Sequence, residues 1–240
     1  LGKPLEVVKC ETNSILVPAN VEMIIEGEIP LNRMEPEGPF GEMYGYMGAQ
    51  KSENFFMDVT AITHRENPLF VNQFSGITRG FLTSPIETAA NLKFKQQFEN
   101  FLGLHYPLET PGFCFVNINK NKAREAVEIG RAISKSLKIA KITVVFDADV
   151  DIHNTKEVMH ALGSRWQPHD STEILKKAPG MGGDPSAIEH GFGSRIIIDA
   201  TRQTAAEGGP KEYAKMNRQY LEEGVPRIFE RIDKKYGHLL

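Results

Sequence analysis

Scarcities narrow the field first. Only two cysteines occur in 240 residues, Cys10 and Cys114, and they lie far apart without metal-ligand spacing. They read as reduced, buried thiols, which excludes a disulfide framework and a zinc finger. No apolar run reaches the ~18 residues that a membrane helix needs. No charged-then-apolar start marks a signal peptide, so a cytoplasmic protein is expected. Net charge is only −3, with both signs spread along the chain. That leaves no electrostatic footprint for nucleic acid or an anionic membrane. The seven histidines never fall at i, i+4 around a glutamate, so no zinc-protease motif exists, and each reads as structural or surface. No Gly-x-Ser-x-Gly elbow, Walker loop or Rossmann fingerprint occurs. An initiating methionine is also missing. The chain opens Leu1-Gly2-Lys3-Pro4 and runs at once into strand-like residues, as the middle of a longer polypeptide would.

What is present is an ordinary globular composition, 40% hydrophobic and 25% charged. Residues 5–10, 14–17 and 21–26 read as strands, with Asn13, Pro18 and Asn20 turning between them. Residues 29–52 are rich in proline and glycine and read as an ordered loop, and 55–63 as a further strand. The first 70 or so residues are therefore expected to be mostly antiparallel β structure. After Pro85, apolar residues at helical spacing predict a helix that runs through Leu102 and stops at Gly103. A strand at 113–118, a helix at 126–137, a strand at 141–146, a helix at 155–166 and a strand at 195–198 predict an α/β layer. Residues 167–193 look irregular, and loops of that length are usually functional. Two helices, broken at Gly224 and restarted at Pro226, end the chain.

The most informative stretch is Glu35-Pro36-Glu37-Gly38-Pro39-Phe40-Gly41-Glu42-Met43-Tyr44. Its prolines and glycines exclude a regular helix, so a stiff loop must place the carboxylates of Glu37 and Glu42. Fixed placement is what proton transfer requires. Two carboxylates held close can also have their pKa values pushed apart, one staying acid. The competing reading is a solvated acidic loop.

That loop, with Val17-Pro18-Ala19-Asn20-Val21-Glu22-Met23-Ile24-Ile25-Glu26-Gly27-Glu28-Ile29 before it, resembles the signature of the UbiD-like decarboxylases. These are the 4-hydroxybenzoate, ferulate and related (de)carboxylases that use prenylated FMN. Val144-Val145-Phe146-Asp147-Ala148-Asp149, the helix from Glu157 to Trp166, and Gly193-Ser194-Arg195-Ile196-Ile197-Ile198-Asp199 resemble later family segments in the same order.

The resemblance implies an α+β chain. Residues 1–70 would be the C-terminal part of a split β-barrel cofactor domain, 71–105 a linker and helix, and 106–240 an α/β oligomerisation domain. It implies non-oxidative, reversible decarboxylation of an aromatic or α,β-unsaturated acid. Glu37 and Glu42 map onto the glutamates of an Arg-Glu-Glu trio, with Glu42 the proton donor and Glu37 tuning it through the arginine. That arginine and the ligands of a divalent metal (Mn or Mg) would precede Leu1, so no metal ligand is expected in this chain. Met43 would line the substrate pocket, and Lys141 would approach the cofactor phosphate. The segment with Thr78, Arg79, Thr83 and Glu87 corresponds to a family region near the substrate. It departs from an Asp-Glu-Thr pattern there, which leaves the acid unspecified. Partners implied are a small carboxylic acid, an N-terminal half or second subunit, and further copies of the chain.

Asp147, Asp149 and Asp151 alternate, but they lack the glycine and distal glutamate of a calcium loop. They are expected to cap the helix near Thr155. Two rival functions stand beside the enzyme: an inert oligomerisation module, and a non-catalytic flavin-binding scaffold. The scaffold is favoured if Glu37 and Glu42 point away from any cleft.

Overall fold

The computed structural model describes residues 4–72, 74, 75, 83–107, 109–187 and 189–239, with Thr83 described by its backbone alone. Thr78 and Arg79, and the side chain of Thr83, lie outside the described residues.

The first part is three separate antiparallel pairs. Strand β1 (Val7–Lys9) pairs with β2 (Leu16–Pro18). Strand β3 (Met23–Glu28) pairs with β6 (Asp58–His64). Strands β4 (Glu35–Glu37) and β5 (Lys51–Asn54) form the third pair, β4 inside the segment expected to be loop and β5 across its end. Proline-rich sequence hid these two short strands. Pro36 sits mid-strand, where a two-stranded pair leaves one side of each strand free of ladder bonds.

A buried carboxylate organises the turn between β1 and β2. Glu26 accepts the backbone N–H groups of Glu11 and Thr12, each at 2.8 Å, and the Thr12 hydroxyl at 2.7 Å. The Thr12 N–H in particular holds the Glu26 carboxyl below the usual range. Between residues 4 and 72 only Cys10 and Glu26 are buried.

The second part is built differently. A five-stranded sheet runs in the order β10–β11–β9–β8–β7. Its strands are β7 (Phe101–His105), β8 (Phe113–Ile118), β9 (Ile142–Asp147), β10 (Thr172–Pro179) and β11 (Phe192–Asp199). The central β8, β9 and β11 are parallel, while β7 and β10 are antiparallel edges. Strand side chains alternate between faces. Cys114, Val116, Ile118 and Val145 meet helices α1 (Thr83–Gln97) and α2 (Glu125–Ser136) on one face. Phe115, Val144, Phe146 and Ile198 meet α3 (Thr155–Arg165) on the other.

Two edge strands depart from expectation. The helix after Pro85 ends at Gln97, and Phe101 starts β7 instead of continuing it. Phe101 and Leu104 lie three apart, a spacing that fits a helix face, and Gly103 sits at a register shift rather than a helix stop. Asn91 on α1 settles the matter. Its amide side chain accepts from Leu104 N and donates to Leu104 O, at 2.8 and 3.0 Å, and so occupies the open edge of β7. Strand β10 falls in the stretch expected to be irregular. It is an edge carrying Lys176 and Lys177 at a bulge, which erases the alternation by which strands are recognised.

The acids after β9 do not cap α3. Asn154 does, accepting from Lys156 N at 3.1 Å. Asp147 and Asp149 instead receive the Arg165 guanidinium at 2.9 and 2.8 Å, and the Arg202 side chain joins Asp149. Helices α4 (Asn217–Gly224) and α5 (Ile228–Tyr236) follow and bury no residue in this chain.

Candidate active site

Glu37 ends β4 and faces Lys51 across the ladder. Its carboxylate accepts from Lys51 Nζ at 3.1 Å and from Asn54 Nδ2 at 2.5 Å. Those two donors, Lys51 first, hold the Glu37 carboxyl below the usual range. Glu37 is therefore an ionised, anchored carboxylate.

Glu42 sits five residues on, in a tight turn. Its N–H donates to Tyr46 O at 2.8 Å, and its carbonyl accepts from Gly45 N at 2.9 Å. A bridge between Gly41 and Met47, and a bond from Gly48 N to Phe40 O, close the base of the turn. Both backbone groups of Glu42 are thus committed, and the side chain is half-buried. It lies between two glycines. A Cβ placed on Gly48 would stand 3.1 Å from Glu42 Oε1, and one on Gly183 would stand 2.9 Å from Oε2. Gly183 belongs to the α/β part, so the acid loop reaches across and rests on it. Among the described residues no hydrogen bond joins Glu42 to Glu37, so the two acids share a loop but not a direct contact. Met43 is half-buried in the same turn.

Tyr44 makes a second contact across the same boundary. Gly112 has φ +93°, and a Cβ on it would stand 3.3 Å from Tyr44 Cε1. Burial, then the nearby Asp184 carboxylate, push the Tyr44 phenol above its usual pKa. Arg195 lines the same small recess as Tyr44 and is buried, and among the described residues no carboxylate hydrogen-bonds to it. Its guanidinium donates to backbone carbonyls of Ser134, Leu137, Lys138 and Pro179, which ties the end of α2 to the end of β10.

Lys141, expected near the cofactor phosphate, is paired within the chain. Its ammonium donates to both carboxylate oxygens of Asp184, at 3.0 and 2.8 Å, and to Ser186 Oγ. Burial pushes the Asp184 carboxyl up, but Lys141 and Ser186 outweigh it and hold the group low. The cleft beside Lys141, about 350 Å³, also carries Lys177, itself paired to Glu189 at 2.8 Å. Glu87, in the segment expected near a substrate, accepts from Tyr106 N at 2.8 Å and contacts His105 Nδ1 at 3.1 Å, pinning α1 to β7. Among the described residues no group of three His, Cys, Asp or Glu side chains forms a metal cradle.

Sequence reasoning singled out Glu37, Glu42 and Met43, and the structure places them at the end of β4 and in the turn that follows. That reasoning missed the Gly183–Asp184 support beneath Glu42. The available signal was Gly182-Gly183-Asp184-Pro185 inside a long proline- and glycine-rich stretch.

A half-buried carboxyl on a stiff β-turn, resting against an α/β layer, defines a two-part acidic site, and comparison with known proteins gives it a family. Residues 1–78 match the 3-octaprenyl-4-hydroxybenzoate carboxy-lyase Rift-related domain, and residues 81–200 match the carboxy-lyase C-terminal domain. The chain belongs to the UbiD family. It is 31% identical over 221 residues to the phenolic acid decarboxylase of Sedimentibacter hydroxybenzoicus, spanning 88% of this chain and 45% of that protein. An uncharacterised Archaeoglobus fulgidus protein is 32% identical over 87% of this chain and 45% of its own length. The UbiD-class enzyme HmfF of Pelotomaculum thermopropionicum, solved with FMN, superposes with a TM-score of 0.76 at 29% identity, over 96% of this chain and 50% of that one. The vanillic acid decarboxylase of S. hydroxybenzoicus in closed form gives 0.76 at 26%, over 95% and 50%. The chain thus spans about half the length of these relatives. Among the described residues no helix is long and apolar enough to cross a membrane.

Proposed function

We propose that this chain supplies the acid-bearing half of a prenylated-FMN-dependent decarboxylase acting on an aromatic or α,β-unsaturated carboxylic acid. The observation that carries the reading is the pair of unlike carboxylates in one stiff loop. Glu37 is anchored as an anion by Lys51 and Asn54. Glu42 is held by its backbone, and its carboxyl accepts no described hydrogen bond. The carbon–carboxylate bond breaks, carbon dioxide leaves, and the electron pair left on carbon takes a proton. Glu42 delivers that proton and recovers one from solvent. Glu37 keeps a fixed negative charge in the same loop, available to the arginine that the completing half would bring. Met43, next to the donor in the turn, lines the substrate side.

The described residues fit the proton-donating side of a flavin site and not its phosphate side. Lys141, the cation expected at the phosphate, is neutralised by Asp184. When bound, prenylated FMN supplies a place for the electron pair released with carbon dioxide. Its phosphate, the divalent metal and the arginine partner of Glu37 are assigned to residues outside this chain.

Two faces agree with an incomplete unit. Ile25 and Ile62 are register partners in β3 and β6, and both are half-exposed, at 50% and 55%. We assign that stripe to the N-terminal half or second subunit that completes the split barrel. The apolar residues of α4 and α5, such as Tyr220, Leu221 and Ile232, are exposed here and are assigned to contacts between copies.

The test uses the chain assembled with its completing half and the modified flavin, offered aromatic and α,β-unsaturated acids in D2O. The expected result is carbon dioxide release with one deuterium at the carbon that lost it. Absence of release from every acid, with flavin bound, contradicts the proposal.

A further inference from the structure

We propose that Lys141 and Asp184 are positioning residues, whose ion pair pins Gly183 against the Glu42 carboxyl and so sets where the acid stands. The inference rests on the reading of Glu42 as proton donor for its kinetic consequence, though not for its geometry.

The loop after β10 has little to hold it. Gly180 N bonds Gly191 O at 2.8 Å, and Asp184 N reaches Met181 O at 3.3 Å. Ala187 N reaches Asp184 O at 3.2 Å and Lys177 holds Glu189 at 2.8 Å, and the Asp184 side chain adds the bonds nearest Gly183. Its Oδ1 accepts Ser186 N at 3.0 Å and Ser186 Oγ at 2.8 Å, while both oxygens accept Lys141 Nζ. The pair is sheltered, with side-chain exposures of 35% for Lys141 and 13% for Asp184. Lys141 is itself fixed by the sheet. Its N–H donates to Gly112 O at 2.8 Å, and its carbonyl accepts Ile196 N at 3.0 Å. Rigid sheet, lysine, aspartate and Gly183 thus form a short chain of contacts that ends on the Glu42 carboxyl.

Gly183 is where the chain becomes sensitive. A methyl group there would stand 2.9 Å from Glu42 Oε2 and 3.2 Å from Cδ, so the carboxyl must move. Gly180, three residues earlier, is a matched control, since a methyl group there meets only Gly193 N at 4.0 Å. Neither glycine has a positive φ that would strain alanine.

Carboxyl footprinting of this 240-residue chain tests the geometry without any activity. Glycine ethyl ester and a water-soluble carbodiimide label accessible carboxyls, read by mass spectrometry. Asp184→Asn and Lys141→Met should each raise Glu42 labelling by a factor of about five, the population change expected from losing a sheltered ion pair. Glu37, held by Lys51 and Asn54, should label as before and serves as the internal reference. Gly180→Ala should change neither. Unchanged Glu42 labelling in both Asp184→Asn and Lys141→Met, with thermal unfolding showing both folded, overturns the proposal. Kinetics of the assembled enzyme give the second arm. Gly183→Ala should lower kcat by about 10²-fold, as a ~1 Å misplacement does, with KM nearly unchanged. Lys141→Arg should retain the parent pH profile, whereas Lys141→Met should shift its alkaline limb, where a proton donor is lost. Equal kcat in Gly183→Ala and Gly180→Ala contradicts the positioning role. Persistence of activity in Glu42→Gln, with labelling responding as expected, refutes the donor reading and leaves the docking intact.

Discussion

The antiparallel strands of residues 4–72 and the α/β part behind them obey opposite rules. In the α/β part, strands β8 and β9 are sealed on both faces, and Val116, Val144, Val145 and Phe146 have no exposure. In the antiparallel part the strands pair only two by two, and the apolar residues Ile25, Val59 and Ile62 stay half in solvent. Two-stranded pairs are marginal alone, because they bury too little to offset ordering. The α/β part encloses its own core, whereas the antiparallel part leaves most of its apolar residues in solvent. The acid loop belongs to the second and leans on the first, through Glu42 on Gly183 and Tyr44 on Gly112.

Substitutions can break that contrast. The largest effect should be chemical: Glu42→Gln in the assembled enzyme should lower kcat roughly 10²–10⁴-fold, the usual weight of a general acid. Chemical unfolding of this chain should not register it. Next comes packing. Phe146→Ala should cost about 3–5 kcal/mol in urea unfolding, because the site is fully enclosed. Ile25→Ala, already half-exposed, should cost under about 1 kcal/mol until the completing half is added. Equal costs for the two would end the contrast.

A smaller effect is pH-dependent. Glu207 sits beside Lys120, with side-chain exposures of 6% and 4%, at 2.7 Å. Burial alone would raise its carboxyl, but Lys120 and the N–H groups of Arg124 and Thr204 hold it down to about 2. A folded pKa below the unfolded one gives stability that is present above the unfolded value, about 4.3. That stability is lost as pH falls from there toward 2, and it amounts to about 2–3 kcal/mol. Glu207→Gln should flatten this acid limb in unfolding measured from pH 6 to 2. The smallest effect is on the antiparallel surface. Lys51→Met should cost no more than about 1 kcal/mol, as exposed ion pairs do. It should nonetheless move the Glu37 carboxyl upward toward its ordinary value in an NMR titration.

The sequence made much of this legible. The alternation of strands such as Val144-Val145-Phe146 with helices announced the α/β layer, and the helical spacing of Ala126, Ile129 and Ile133 announced α2. The Pro/Gly loop announced two placed carboxylates. Edge strands escaped. Strand β7 shares its three-residue spacing with a helix, and β10 carries the lysines that guard an edge. The support under Glu42 escaped because it joins residues far apart in the chain: Glu42, Lys141 and Gly183. The family resemblance alone places Lys141 near the cofactor phosphate, and sequence does not show its partner. Asp184, 43 residues away, is that partner.

The most direct single measurement is carbon dioxide release by the assembled enzyme carrying Glu42→Gln beside the parent, at equal flavin occupancy and equal thermal unfolding temperature. A loss of at least about 10²-fold is what a proton donor at this position requires. Release at the parent rate would remove Glu42 from the chemistry and leave the acid loop as a structural contact between the two parts.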